Sequence, residues 1–65
     1  MNGTVKYFNE QRGYGFIAGE NGIDYFIHIH DILNADKKYP EIGQPVCFET
    51  EKGEKGYKAL AARLL

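Results

Sequence analysis

Eight glycines cut a chain of 65 residues into short segments rich in aromatic and β-branched residues. That punctuation favours short strands joined by turns over long helices. Segments near 3–9, 14–18, 24–29, 45–51 and 57–64 read as strands. The stretch 30–43, HDILNADKKYPEIG, lacks period-two alternation and contains Pro40, so it reads as a long connection with a helical turn at 30–33. The final KALAARLL is ambiguous, because its composition favours helix while its place in so short a chain favours a closing strand. An antiparallel barrel of five strands removes the exposed edges that an open sheet would leave. A chain of this length buries only about 60% of its unfolded surface, so residues 1–65 are expected to form one domain around one core.

Composition narrows the class further. No apolar run approaches the roughly 18 residues a membrane span needs, and the polar, alternating start MNGTVKYFNE does not resemble a secretory signal. Cys47 is the single cysteine, which excludes an internal disulfide and fits a reducing, cytoplasmic setting. Eight Lys and Arg face nine Asp and Glu, for a net charge of −1. Proteins that hold nucleic acid mainly through phosphates are usually basic, because counterion release supplies their affinity. The charge is also uneven: residues 1–33 carry two cations against four carboxylates, and residues 34–65 carry six against five. If nucleic acid binds, something other than bulk charge carries much of the affinity.

The aromatic residues supply that alternative. Along Arg12-Gly13-Tyr14-Gly15-Phe16-Ile17, Tyr14 and Phe16 point one way and Ile17 the other. Along Asp24-Tyr25-Phe26-Ile27-His28-Ile29, Phe26 and His28 share one face, while Tyr25, Ile27 and Ile29 share its opposite. The aliphatic, β-branched Ile17, Ile27 and Ile29 suit the core, which leaves Tyr14, Phe16, Phe26 and His28 outside together. Register decides whether they meet. A two-residue Asn21-Gly22 turn pairs Phe16 with Ile27 and sends His28 into the core with Phe26. A three-residue Glu20-Asn21-Gly22 loop, with Gly22 at positive φ, pairs Phe16 with Phe26 and Tyr14 with His28. The three-residue loop, or another of odd length, is favoured, since it keeps a titratable ring out of an apolar interior.

Rings gathered on a wet sheet suit unpaired nucleotides, each stacked base contributing about 1–3 kcal/mol. Gly13 and Gly15 are expected to leave space for splayed bases, and Lys6 and Arg12 to meet phosphates at the margin. Strand aromatics are more often core than platform, and Tyr25, Phe48 and Phe8 read as core or partly so. The outer set resists that assignment, because a barrel this small cannot bury both faces of two adjacent strands.

Gly3-Thr4-Val5-Lys6-Tyr7-Phe8-Asn9, Arg12-Gly13-Tyr14-Gly15-Phe16-Ile17, Asp24-Tyr25-Phe26-Ile27-His28 and Gly43-Gln44-Pro45-Val46-Cys47-Phe48 together resemble a bacterial cold-shock protein, in order and over essentially the whole chain. The second and third blocks are similar to that family's two ribonucleoprotein-type motifs. The resemblance implies an all-β, five-stranded antiparallel Greek-key barrel of the OB type that binds single-stranded RNA and DNA. It further implies an RNA chaperone that keeps transcripts unpaired and modulates transcription or translation, without catalysis or cofactor, as a cytoplasmic monomer away from membranes. By position it makes Tyr7, Tyr14, Phe16, Phe26 and His28 base-stacking residues, with Lys6 and Arg12 at the backbone and Phe8 at the rim. The chain also departs from the pattern. Tyr7 stands where the family usually has Trp, and Ile29 replaces the aromatic after the histidine. Lys37 aligns with a loop aromatic, for which Tyr39 is the candidate substitute, and Gly56-Tyr57 replaces a frequent Gly-Pro. Two weakened stacking positions imply fewer strongly held bases.

Three rival functions have less support. His28 and His30, with Asp24, Asp31 or Cys47, lack metal-ligand spacing, and His30 is expected past the end of its strand. Cys47 has no identifiable oxyanion or orienting group beside it, so a nucleophilic enzyme is not expected. An OB-type barrel could instead turn the same rings toward a protein or an oligosaccharide.

Overall fold

The computed structural model describes residues 1–35 and 39–65. Five strands form in chain order: β1 (Asn2–Asn9), β2 (Tyr14–Gly19), β3 (Asp24–His28), β4 (Pro45–Gly53) and β5 (Gly56–Leu64). One 3-10 turn, Ile29–Asp31, follows β3, a residue earlier than the helical turn expected at 30–33. The strands close into a barrel in the order β1-β2-β3-β5-β4. The neighbours β1–β2, β2–β3, β1–β4 and β4–β5 are antiparallel. The remaining seam, β3 to β5, is parallel through Phe26 and Lys58, and a parallel bridge between Ile32 and Ala62 continues beyond it.

The core forms where one face of each strand turns inward. Ile17 and Ile27 are each 1% exposed, and Val5, Val46, Phe48, Ala59 and Ala62 are buried with them. Tyr25 is buried as expected, its ring edge-on to Phe48 at 5.1 Å. Its hydroxyl accepts a hydrogen bond from Asn21 Nδ2 at 2.9 Å, which lets a phenol occupy an apolar interior. Ile29, expected in the core from strand alternation, lies instead in the 3-10 turn and packs against the core half-buried.

Inside the Gly19–Ile23 hydrogen bond the chain turns through three residues, Glu20, Asn21 and Gly22, with Gly22 at φ 84°. Gly19 N–H donates to Ile23 O at 2.8 Å and closes the turn. An odd loop sets Tyr14 opposite His28 and Phe16 opposite Phe26, the register that gathers the rings on one face.

Two bulges break simple alternation. In β1, the register slips between Val5, opposite Ile17, and Tyr7, opposite Phe16, so Lys6 is the extra residue. Strict alternation would send Tyr7 inward with Val5; the bulge turns it outward beside Phe16. In β5, the register slips where Cys47 faces Arg63 and Glu49 faces Leu60, leaving Ala61 and Ala62 opposite Phe48. Ala61 there adopts φ 48°. The bulge explains why KALAARLL is a strand with helix-like spacing, since its buried alanines, 59 and 62, are three apart.

Gly15 corrects one expectation. It is buried on the inward face, where a Cβ would lie 2.0 Å from the Tyr7 carbonyl oxygen. Its missing side chain lets β1 approach β2 and opens no space for bases. Gly13 serves the β1–β2 turn at φ 74°.

Candidate nucleic-acid interface

Adjacent strands β2 and β3 bring three rings into contact outside the filled core. Tyr14 and Phe26 stack with centroids 5.6 Å apart and planes 28° apart. Phe16 meets Phe26 edge-on at 5.7 Å and 77°. Phe26 is therefore the hub, half-buried between two neighbours, while Phe16 is 37% exposed. Tyr7 extends the row onto β1 through its register with Phe16 and is 46% exposed.

His28 ends the row opposite Tyr14. Its Nδ1 accepts the backbone N–H of His30 at 3.2 Å, so the neutral ring carries its proton on Nε2, a donor available to a ligand. His30 lies past the end of β3, with its ring 4.7 Å from that of His28 and tilted by 58°. Among the described residues no group of three or more His, Cys, Asp or Glu could hold a metal ion. Cys47 is exposed on β4, between buried Val46 and Phe48.

Phe8 and Tyr39 stand apart from this row. Phe8 is half-buried against the core, and Tyr39 tilts against it at 6.0 Å and 36°. Tyr39 is itself exposed, so the pair makes a second aromatic surface rather than a continuation of the first. Lys37 lies outside the described residues.

The charged margin differs from a simple phosphate clamp. Lys6 Nζ bonds Asp24 Oδ2 at 2.8 Å, so a carboxylate already accompanies the cation at the β1 bulge. Arg12 is exposed in the β1–β2 turn, where its N–H donates to Asn9 Oδ1 at 3.0 Å. Among the described residues its guanidinium forms no ion pair.

In the sequence Tyr57 stands out only as a departure from a Gly-Pro pattern, with no role attached. The structure places it, with Lys58 and the β4–β5 turn, across an open groove from Phe16 and Phe26, with a volume of about 730 Å³. Strand order hides this neighbourhood from the sequence, because β5 reaches β3 only through the parallel seam.

A closed five-stranded barrel with a ring cluster outside its core on two adjacent strands defines an OB-type domain. The chain belongs to the cold-shock domain family, whose model, described as a 'Cold-shock' DNA-binding domain, matches residues 1–64. Cold shock protein 1 of Lactiplantibacillus plantarum is 48% identical over 58 residues, covering 89% of this chain and 88% of that protein. A major cold shock protein of Streptococcus pyogenes is 47% identical over 58 residues, covering 89% and 87%. The major cold shock protein CspA of Pseudomonas aeruginosa is 45% identical over 59 residues, covering 91% and 86%. A solved structure titled drosophila Unr CSD456 shares the fold with a TM-score of 0.73 at 22% identity, covering 98% of this chain and 26% of that longer one. The family binds nucleic acid.

Proposed function

We propose that residues 1–65 act as one unit that binds single-stranded RNA and DNA by stacking unpaired bases on Tyr14, Phe16 and Phe26. Tyr7 and His28 extend the track, and Arg12 meets phosphate at its edge. Lys6 contributes through its bond to Asp24, so it positions more than it attracts. Phe8 and Tyr39 take a base, if the strand is long enough, on the separate surface they form. Occupying bases withdraws them from pairing, so binding free energy alone shifts the equilibrium of weak duplexes toward the open strand. The protein is then an RNA chaperone that modulates transcription or translation, a cytoplasmic monomer needing neither cofactor nor catalytic step.

One observation carries this reading: three rings, Tyr14 and Phe16 each against Phe26, lie outside a core already filled without them. Exposed ring surface of this kind points to a ligand with π-faces. The test is a titration of tyrosine fluorescence with poly-pyrimidine, poly-purine and duplex oligonucleotides. Single strands quench at concentrations where the duplex is silent. Equal binding of duplex and single strand overturns the reading.

A further inference from the structure

Tyr57 is held like a residue with a task. It is 38% exposed, yet its ring sits edge-on to buried Tyr25 at 5.7 Å and 67°. Tyr25 in turn braces against Phe48. The ring thus rests on the core and stays open on its outer side, so little rotamer freedom remains to be lost when a ligand stacks there.

Its surroundings divide by polarity as a nucleotide does. Phe16, Phe26 and Tyr57 give the groove apolar walls, and Lys55 and Lys58 line it as cations. Lys52 Nζ stands 6.0 Å from the Tyr57 centroid. Of the carboxylates along the groove, Asp24 is already bonded to Lys6, which leaves Glu54 at the turn. The volume of about 730 Å³ falls inside the range of about 300–1,000 Å³ usual for small-molecule clefts. The β4–β5 turn is pinned by Gly53 pairing with Gly56, the latter at φ 133°, so the hairpin presents Tyr57 at a fixed place.

We propose that Tyr57 is a base-stacking residue and that the groove between it and the Phe16–Phe26 edge seats one further nucleotide of the bound strand. The proposal rests on the platform binding unpaired bases. It gives this chain a ring on β5 that offsets the smaller Tyr7 and the absent ring at Ile29, and it turns the strand's path toward the β4–β5 hairpin.

Oligothymidylates of increasing length, titrated against wild type, Tyr57→Phe and Tyr57→Leu, test it. The shortest oligonucleotide that binds the platform binds all three proteins equally. Longer ones lose about 5- to 140-fold in Tyr57→Leu and keep their affinity in Tyr57→Phe, the loss of one stacked base. An affinity for Tyr57→Leu equal to wild type at every length overturns the subsite, as does a loss that is the same at every length. Because the ring also braces Tyr25, wild-type protein supplies an independent readout by NMR. The Tyr57 ring protons move upfield with the long oligonucleotide and not with the short one; unmoved resonances overturn the subsite. Folded wild type that binds no oligothymidylate overturns the platform itself, whereas normal platform binding with a silent Tyr57 overturns this proposal alone.

Discussion

At the scale of single residues, the ring cluster has an open member, Phe16, and a hub, Phe26. Phe16 is open on one side and touches one neighbour, whereas Phe26 touches two and is half-buried. Phe16→Ala therefore weakens oligonucleotide binding by about 1–3 kcal/mol and costs stability only its single ring contact, about 0.5–1.5 kcal/mol. Phe26→Ala weakens binding as much and lowers stability further, since two ring contacts, each worth about 0.5–1.5 kcal/mol, go with it. Because the two side chains touch, their effects do not add; titration of the double variant returns a coupling energy distinct from zero. Additive binding losses would mean that each ring holds its base without its neighbour. Most of this site was legible in the residues. The alternation of Tyr14, Phe16, Phe26 and His28 against Ile17 and Ile27 follows from strand geometry alone. Tyr7 is hidden from that geometry, because the bulge at Lys6 reverses the faces beyond it, turning Tyr7 outward and Phe8 toward the core, in keeping with the reading of Phe8 as core or partly so.

At the scale of the element, loop parity and bulges decide which side chains meet. The β2–β3 register could be inferred because the two candidate turns have opposite consequences for His28, and only the odd loop keeps that ring wet. The bulge in β5 could not be, because buried alanines three apart imitate a helix and no residue type marks Ala61 for φ 48°. The parallel seam was equally hidden, being a property of how β5 returns past β3 rather than of either strand. Gly15 shows how a residue can be singled out rightly for the wrong reason. A Cβ there would lie 2.0 Å from the Tyr7 carbonyl and 2.7 Å from Phe8 Cα, both backbone atoms that move only if β1 separates from β2. At Gly22 a Cβ meets nothing within 4 Å, and only the φ of 84° penalises it. Gly22→Ala should therefore cost about 1–2 kcal/mol in chemical denaturation, the usual left-handed penalty. Gly15→Ala should cost more than that and also weaken binding, since it displaces Tyr7 from Phe16. If Gly22→Ala proves the more damaging, strand approach is not what constrains position 15.

At the scale of the whole molecule, the charge balance sets how binding responds to salt. A net charge of −1 gives the domain no general attraction for a polyanion, and two of its cations already have partners. Lys6 bonds Asp24 at 2.8 Å, and Lys58 stands 4.0 Å from Asp31. On the proposed reading, affinity comes chiefly from stacking, which salt screens little, with one or two phosphates met by Arg12 and its neighbours. For single strands the slope of log K against log salt is about −0.7 per phosphate neutralised, so the wild type should give a slope between about −0.7 and −1.5. Asp24→Asn releases Lys6 beside the rings without removing any of them. Its slope should steepen by about 0.7, one additional phosphate, in the same titration repeated across a salt series. A wild-type slope several times steeper would mean that phosphates rather than π-faces hold the strand. An unchanged slope in Asp24→Asn would mean that Lys6 does not lie along the strand's path.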